Sequence, residues 1–156
     1  MTKPKLGYSY AFPRPALTVD LVVVSPEKNP QVLLIRRSRD PFAGAWALPG
    51  GFVNEGERLV DAARRELHEE TGVQLTELEQ LQTFGDPGRD PRGWTVSVAY
   101  MATIKPADVQ LQAGDDADDA RWFAFDDLPL LAFDHAQILD CARARLRPQA
   151  RTRRSK

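Results

Sequence analysis

The stretch ALTVDLVVVS at 16–25 constrains the fold more than any other segment. It is β-branched and apolar apart from Asp20, as a strand buried inside a protein must be. A sheet cannot bury both faces by itself, so helices are expected on either side of it. After the turn SPEKNP, the segment QVLLIRRS (31–38) predicts a second strand, paired with the first as a hairpin. AWALPGGF predicts a short strand broken at Pro49, Gly50 and Gly51. A helix follows from about Asn54 to Thr71, with Asn54 as cap, Glu57 in the reciprocal capping position and Gly72 as terminator. Further strands are expected in the second half of LTELEQLQTFG, in WTVSVAYMATI (94–104) and in ARWFAF (120–125). DDLPLLAF and the apolar positions Ile138, Leu139, Cys141, Ala142 and Leu146 suggest one or two closing helices.

The resulting class is α/β (α+β), a mixed β-sheet sandwiched between helices. A single domain is expected over 16–147, preceded by an extended segment at 1–15 and followed by a basic tail at 148–156. At 156 residues the chain is long enough to bury a core without disulfides. One cysteine, Cys141, fits a reducing compartment, and no apolar run approaches a membrane span, so a cytoplasmic protein is expected. Net charge is −1, but the segment 143–156 carries seven basic residues and no acid. A solvated tail accounts for it. Nucleic acid is not an expected partner, because no aromatic residue interleaves the arginines as a stacking platform.

The acidic residues of the long helix are oddly placed. At about 100° per residue, Glu66, Glu69 and Glu70 share one arc roughly 100° wide, overlapping the apolar face of Leu59, Val60, Ala63 and Leu67. Like charges four positions apart repel, and anions in the last turn oppose the helix dipole. A divalent cation relieves both penalties, since it takes several hard oxygen ligands from one direction. The spacing alone is equally compatible with three glutamates facing water.

The surrounding residues are more specific. GFVNEGERLVDAARRELHEETGV, from Gly51 to Val73, resembles the Nudix signature at every specified position: Gly51, Glu57, Arg65-Glu66, Leu67, Glu69-Glu70, Gly72 and Val73. ALTVDLVVV, AWALPGGFV, RDPRGWTVSVAY and RWFAFDDLP occur in the family's order, extending the resemblance over about 16–130. The resemblance implies a Nudix fold and a hydrolase acting on a diphosphate with Mg2+, for which Mn2+ substitutes. It also implies Glu66, Glu69 and Glu70 as metal ligands, with the Gly50 carbonyl as a further one. Arg65 is expected to orient a box glutamate, and Glu57 to serve either the site or the helix cap. An extra acidic group is expected before the last strand, where AGDDADDARW offers Asp115, Asp116, Asp118 and Asp119; Asp116 is taken as additional ligand or general base.

The segments outside the signature are most similar to the ADP-ribose pyrophosphatase branch, implying ADP-ribose cleaved to AMP and ribose 5-phosphate. Arg36, Arg37, Arg89 and Arg92 are candidate phosphate ligands, and Phe84 or Trp94 a candidate stacking surface for adenine. Relatives of this branch are commonly homodimers, so a homodimer is expected. Two alternatives stand beside this reading. One is a nucleoside triphosphate pyrophosphohydrolase clearing damaged nucleotides. The other is a non-catalytic ADP-ribose sensor, disfavoured by the intact acidic box and by the shortness of the chain after the last strand. His68 and His135 are given no function.

Overall fold

The computed structural model describes residues 7–114 and 117–147. Seven strands form one mixed sheet: β1 (Ala16–Val24), β2 (Gln31–Arg37), β3 (Trp46–Ala47), β4 (Gly50–Phe52), β5 (Glu79–Phe84), β6 (Thr95–Thr103) and β7 (Ala117–Ala124). Two helices complete it, α1 (Leu59–Thr71) and α2 (His135–Leu146). Strand order is β3-β2-β1-β6-β5, with β4 also paired to β1 and β7 to β2.

β1 lies parallel to β6 along its whole length, from Ala16↔Thr95 to Val24↔Thr103. Its alternate side chains then serve two cores. Val19, Leu21 and Val23 pack with Ala62, Ala63 and Leu67 of α1, while Val22 and Val24 pack with Ile138, Leu139 and Ala142 of α2. This is the expected helix on each face, enforced by the period-2 alternation of a strand without a polar side. Cys141 packs partly buried beside the α2 core.

The hairpin expectation is only half met. β1 and β2 pair at the single position Val24↔Val32 and then diverge, β2 running along β7 instead. β4 takes the vacated place beside β1, pairing Thr18↔Phe52, Val19↔Gly51 and Asp20↔Gly50. The split between β1 and β2 opens the cleft described below.

The start of α1 also differs from expectation. Gly56 adopts φ 76°, which breaks the helical path, and Arg58 is still extended. Asn54 therefore does not cap the helix. Its N–H donates to the Glu57 carboxylate at 2.9 Å within a separate turn, and α1 begins at Leu59 with no side-chain cap. The other end is as expected: Gly72 is left-handed at φ 74°, and its N–H donates to the His68 carbonyl. DDLPLLAF forms no helix; Leu131 bridges Trp46 instead, leaving α2 as the closing helix. β7 starts three residues earlier than the expected 120. Among the described residues no helix is long and apolar enough to cross a membrane.

Candidate active site

Glu70 is the most confined of the three glutamates of the helix stripe. It is 9% exposed, and its carboxylate accepts the Gly50 N–H at 2.8 Å. Burial pushes its pKa up to about 8; the Gly50 bond opposes this, and the charges of Glu66 and Asp20 add to it. Glu66 lies beside Gly51, where an added Cβ would sit 2.5–2.6 Å from its carboxylate atoms. Glycine at 51 is thus a matter of space. Burial raises Glu66 as well, and the Arg65 bond partly counters it.

Arg65 holds the acidic group together. Its guanidinium donates to Glu57 at 2.7 and 3.0 Å, to Glu66 at 2.6 Å, to Glu69 at 3.2 Å and to the Phe52 carbonyl at 3.1 Å. Glu57, bonded to Arg65 and to the Asn54 N–H, is held down to about 2. Glu57 therefore does not cap α1; its carboxylate closes the turn before the helix and anchors Arg65. Glu69 is turned toward Arg65 and its side chain is 56% exposed. Among the described residues no three carboxylate, imidazole or thiol groups converge as a ready cage for a metal ion. The donor set nonetheless fits a hard dication. Glu66 and Glu70 are carboxylates raised by burial, the Glu66 charge raises Glu70 further, Gly51 leaves room for the Glu66 carboxylate, and the Gly50 N–H holds Glu70.

Beside Glu70 a narrow cleft, with an enclosed volume of about 70 Å³, opens in the split between β1 and β2. Its floor is a buried polar network. Asp20 is 7% exposed, accepts the Ser97 hydroxyl, and lies 3.4 Å from His135 Nε2 and 3.8 Å from Arg89. Burial pushes Asp20 up, but His135, Ser97 and Arg89 together outweigh it and hold the carboxyl below its ordinary value. His135 Nδ1 accepts the Leu48 N–H at 2.9 Å, so the proton belongs on Nε2, facing Asp20. Arg89 donates twice to Asp134, at 2.8 and 2.6 Å.

The sequence candidates divide around this cleft. Gly50, Glu70, Arg37, Arg89 and Arg92 line it. Arg89, however, is 5% exposed and paired with Asp134, so it braces the floor. Arg36 is exposed on β2 opposite Asp119 and does not line the cleft. Phe84 packs against the α2 core, and Trp94, 57% exposed, stands outside the lining; neither is offered to a ligand there. The reason is strand position. Phe84 ends β5 at the sheet edge, and Trp94 precedes β6, away from the β1–β2 split. Asp116, together with Asp115, lies outside the described residues. Asp118 is exposed, and Asp119 pairs with Arg121. Sequence reasoning missed Phe52, Phe133, Asp90, Asp134 and the site role of Asp20 and His135. Only Asp20 carried a signal, as the single charge in an apolar strand.

Residues 14–141 match the family described as NUDIX domain. The chain belongs to the Nudix family. This Nudix domain is 42% identical over 125 residues to an ADP-ribose pyrophosphatase of Methanocaldococcus jannaschii, an alignment covering 80% of this chain and 71% of that protein. It is 41% identical over 145 residues to an ADPR responsive transcriptional repressor, NtrR, of Acinetobacter baylyi, covering 90% of this chain but 58% of the repressor. Among solved structures, it resembles the Nudix domain of Shewanella oneidensis NrtR complexed with ADP ribose, with TM-score 0.81 and 39% identity over 94% of each chain.

Proposed function

We propose that this Nudix domain is a hydrolase that cleaves the diphosphate of ADP-ribose to AMP and ribose 5-phosphate, using Mg2+ or Mn2+. The observation that carries the reading is Glu70, buried at the edge of the cleft, fixed to the Gly50 N–H and within the field of the Glu66 carboxylate that lies against Gly51. The identity with an ADP-ribose pyrophosphatase supports the substrate.

Glu66, Glu69 and Glu70, with the Gly50 carbonyl, are the proposed metal ligands; Glu69 joins by releasing its 3.2 Å contact with Arg65. A bound dication supplies charge neutralisation for the departing phosphate and a more acidic water. The chain's own residues do the positioning. Arg65 keeps Glu57 and Glu66 in place through three hydrogen bonds drawn from one planar fork, which a fourth ties to the Phe52 carbonyl. Arg37, whose guanidinium lies 4.9 Å from the Phe133 ring, supplies positive charge on the cleft wall. The Asp20–His135 pair tethers Leu48, two residues before Gly50, and so sets where the Gly50 N–H presents itself to Glu70. Asp116 follows shortly after Gly114, whose N–H donates to the Glu70 carbonyl, and is proposed as general base or further ligand.

The relation to NtrR favours a second reading, a sensor that binds ADP-ribose without cleaving it. A substrate panel of ADP-ribose, a diadenosine polyphosphate, NADH, a nucleotide sugar and 8-oxo-dGTP, each with Mg2+, separates the possibilities. AMP release from ADP-ribose is expected. Faster turnover of 8-oxo-dGTP overturns the substrate, and a thermal shift with ADP-ribose but no turnover establishes the sensor. Light scattering reads out the expected homodimer.

A further inference from the structure

Two phenylalanines at the mouth of the cleft have no part in the chemistry above. Phe52 follows Gly51 on β4, so its side chain leaves the strand on the side opposite Glu66. The ring is 45% exposed although it lines the cleft. Phe133 holds φ 52°, a left-handed conformation that a bulky residue keeps only where its surroundings enforce it. Phe42, at φ 63°, packs edge-on against Phe133 with centroids 4.8 Å apart.

Arg92 joins these rings. Its guanidinium carbon lies 4.8 Å from the Phe52 centroid and 5.2 Å from the Phe133 centroid, within cation–π range of both. Asp90, with a side chain 2% exposed, fixes that guanidinium through bonds at 3.0, 3.2 and 2.7 Å. Swinging Arg92 into the cleft as a phosphate ligand would strip the buried Asp90 carboxylate of its guanidinium partner and leave it, among the described residues, the Arg92 N–H alone as hydrogen-bond donor, which is unfavourable. Its place is therefore structural: it braces Phe52 from one side and leaves the rest of the ring open to the cleft.

We propose that Phe52 is the stacking platform for the nucleobase of the substrate, with Arg92 and Asp90 as positioning residues behind it. This rests on the nucleoside-diphosphate reading of the Glu66–Glu70 site. Consecutive residues of β4 then serve the two ends of one ligand: the Gly50 N–H holds Glu70, Gly51 leaves room for Glu66, and Phe52 carries the base. A flat apolar face offers no hydrogen-bond code, so it favours purines over pyrimidines through the larger stacked area and does not tell adenine from guanine.

AMP and ribose 5-phosphate differ by the base alone, and neither has a diphosphate to cleave, so calorimetric titration with each isolates the platform. Wild-type protein is expected to bind AMP at least roughly fivefold tighter than ribose 5-phosphate, the lower end of base–aromatic stacking. Phe52→Ala should bring the two within twofold, Phe52→Tyr should keep the gap, and Arg92→Ala should narrow it partway. Phe52 is exposed, so its removal is not expected to unfold the chain; circular dichroism checks this. A gap unchanged in Phe52→Ala, no gap in wild type, or no AMP binding at millimolar concentration overturns the proposal. The hydrolase reading fails separately: stacking without AMP release from ADP-ribose leaves the platform standing and the enzyme refuted.

Discussion

Binding of a dication at Glu70 is expected to expel a proton. The carboxyl is pushed up to about 8 by burial, so at pH 7 about nine-tenths of the metal-free molecules carry it protonated. A ligand carboxylate must be ionised. Glu70 alone therefore releases about 0.9 proton per metal bound at pH 7, and about 0.1 at pH 9, with its contribution to affinity rising nearly tenfold per pH unit until about pH 8. The same shift acts on stability without metal. The folded-state value lies above the ordinary one, so the native state holds more protons between about pH 4.5 and pH 8. The stabilisation is complete below the ordinary carboxylate range and fades as pH rises through about 8. The slope is about 1.4 kcal/mol per unit, several kcal/mol in all. Calorimetry of Mg2+ or Mn2+ binding in buffers of different ionisation enthalpy reads the proton count directly, and urea denaturation in chelator reads the stability. Glu70→Gln should remove this contribution from both pH dependences, raise metal-free stability at pH 8, and lower kcat by orders of magnitude. Proton release near zero at pH 7, or equal at pH 7 and pH 9, would refute the reasoning.

Two glycine substitutions should fail in different ways. In Gly51→Ala the new Cβ meets only the end of the Glu66 side chain, so kcat should drop at least about tenfold while the unfolding midpoint barely moves. In Gly114→Ala the Cβ would lie 1.7 Å from the Glu69 carbonyl oxygen, which is backbone, so roughly 1–3 kcal/mol or more of stability should be lost in urea titrations. Arg65→Lys should behave nearly as badly as Arg65→Ala, about 10- to 100-fold down in kcat/KM, because an ammonium cannot span Glu57, Glu66 and the Phe52 carbonyl; a fully active lysine variant contradicts this. His135→Ala orphans the buried Leu48 N–H and removes a partner of Asp20, so a loss of about 2 kcal/mol is expected by chemical denaturation, and a loss below about 0.5 kcal/mol refutes the network.

Much of the molecule is written in local periodicity. The buried β1 strand, the two-sided sheet and the acidic stripe of Glu66, Glu69 and Glu70 follow from repeats of 2 or 3.6 residues, and the end of α1 from the left-handed Gly72, all of which depend on neighbours along the chain. Local reasoning failed where a bond to a distant residue won. Glu57 resembles half of a capping box, yet Arg65 claims its other oxygen and Gly56 turns the chain, so α1 starts at Leu59. Phe84 and Trp94 have the right chemistry for a base, but sheet order puts them away from the cleft, and Phe52 stands there instead. Asp20 announced by its isolation that a partner must exist. Which partner was beyond reading: Ser97 lies 77 positions away, and His135 and Arg89 reach Asp20 only because β1, β6 and α2 pack together. Side-chain period belongs to the chain, whereas the meeting of buried charges belongs to the register of the assembled sheet.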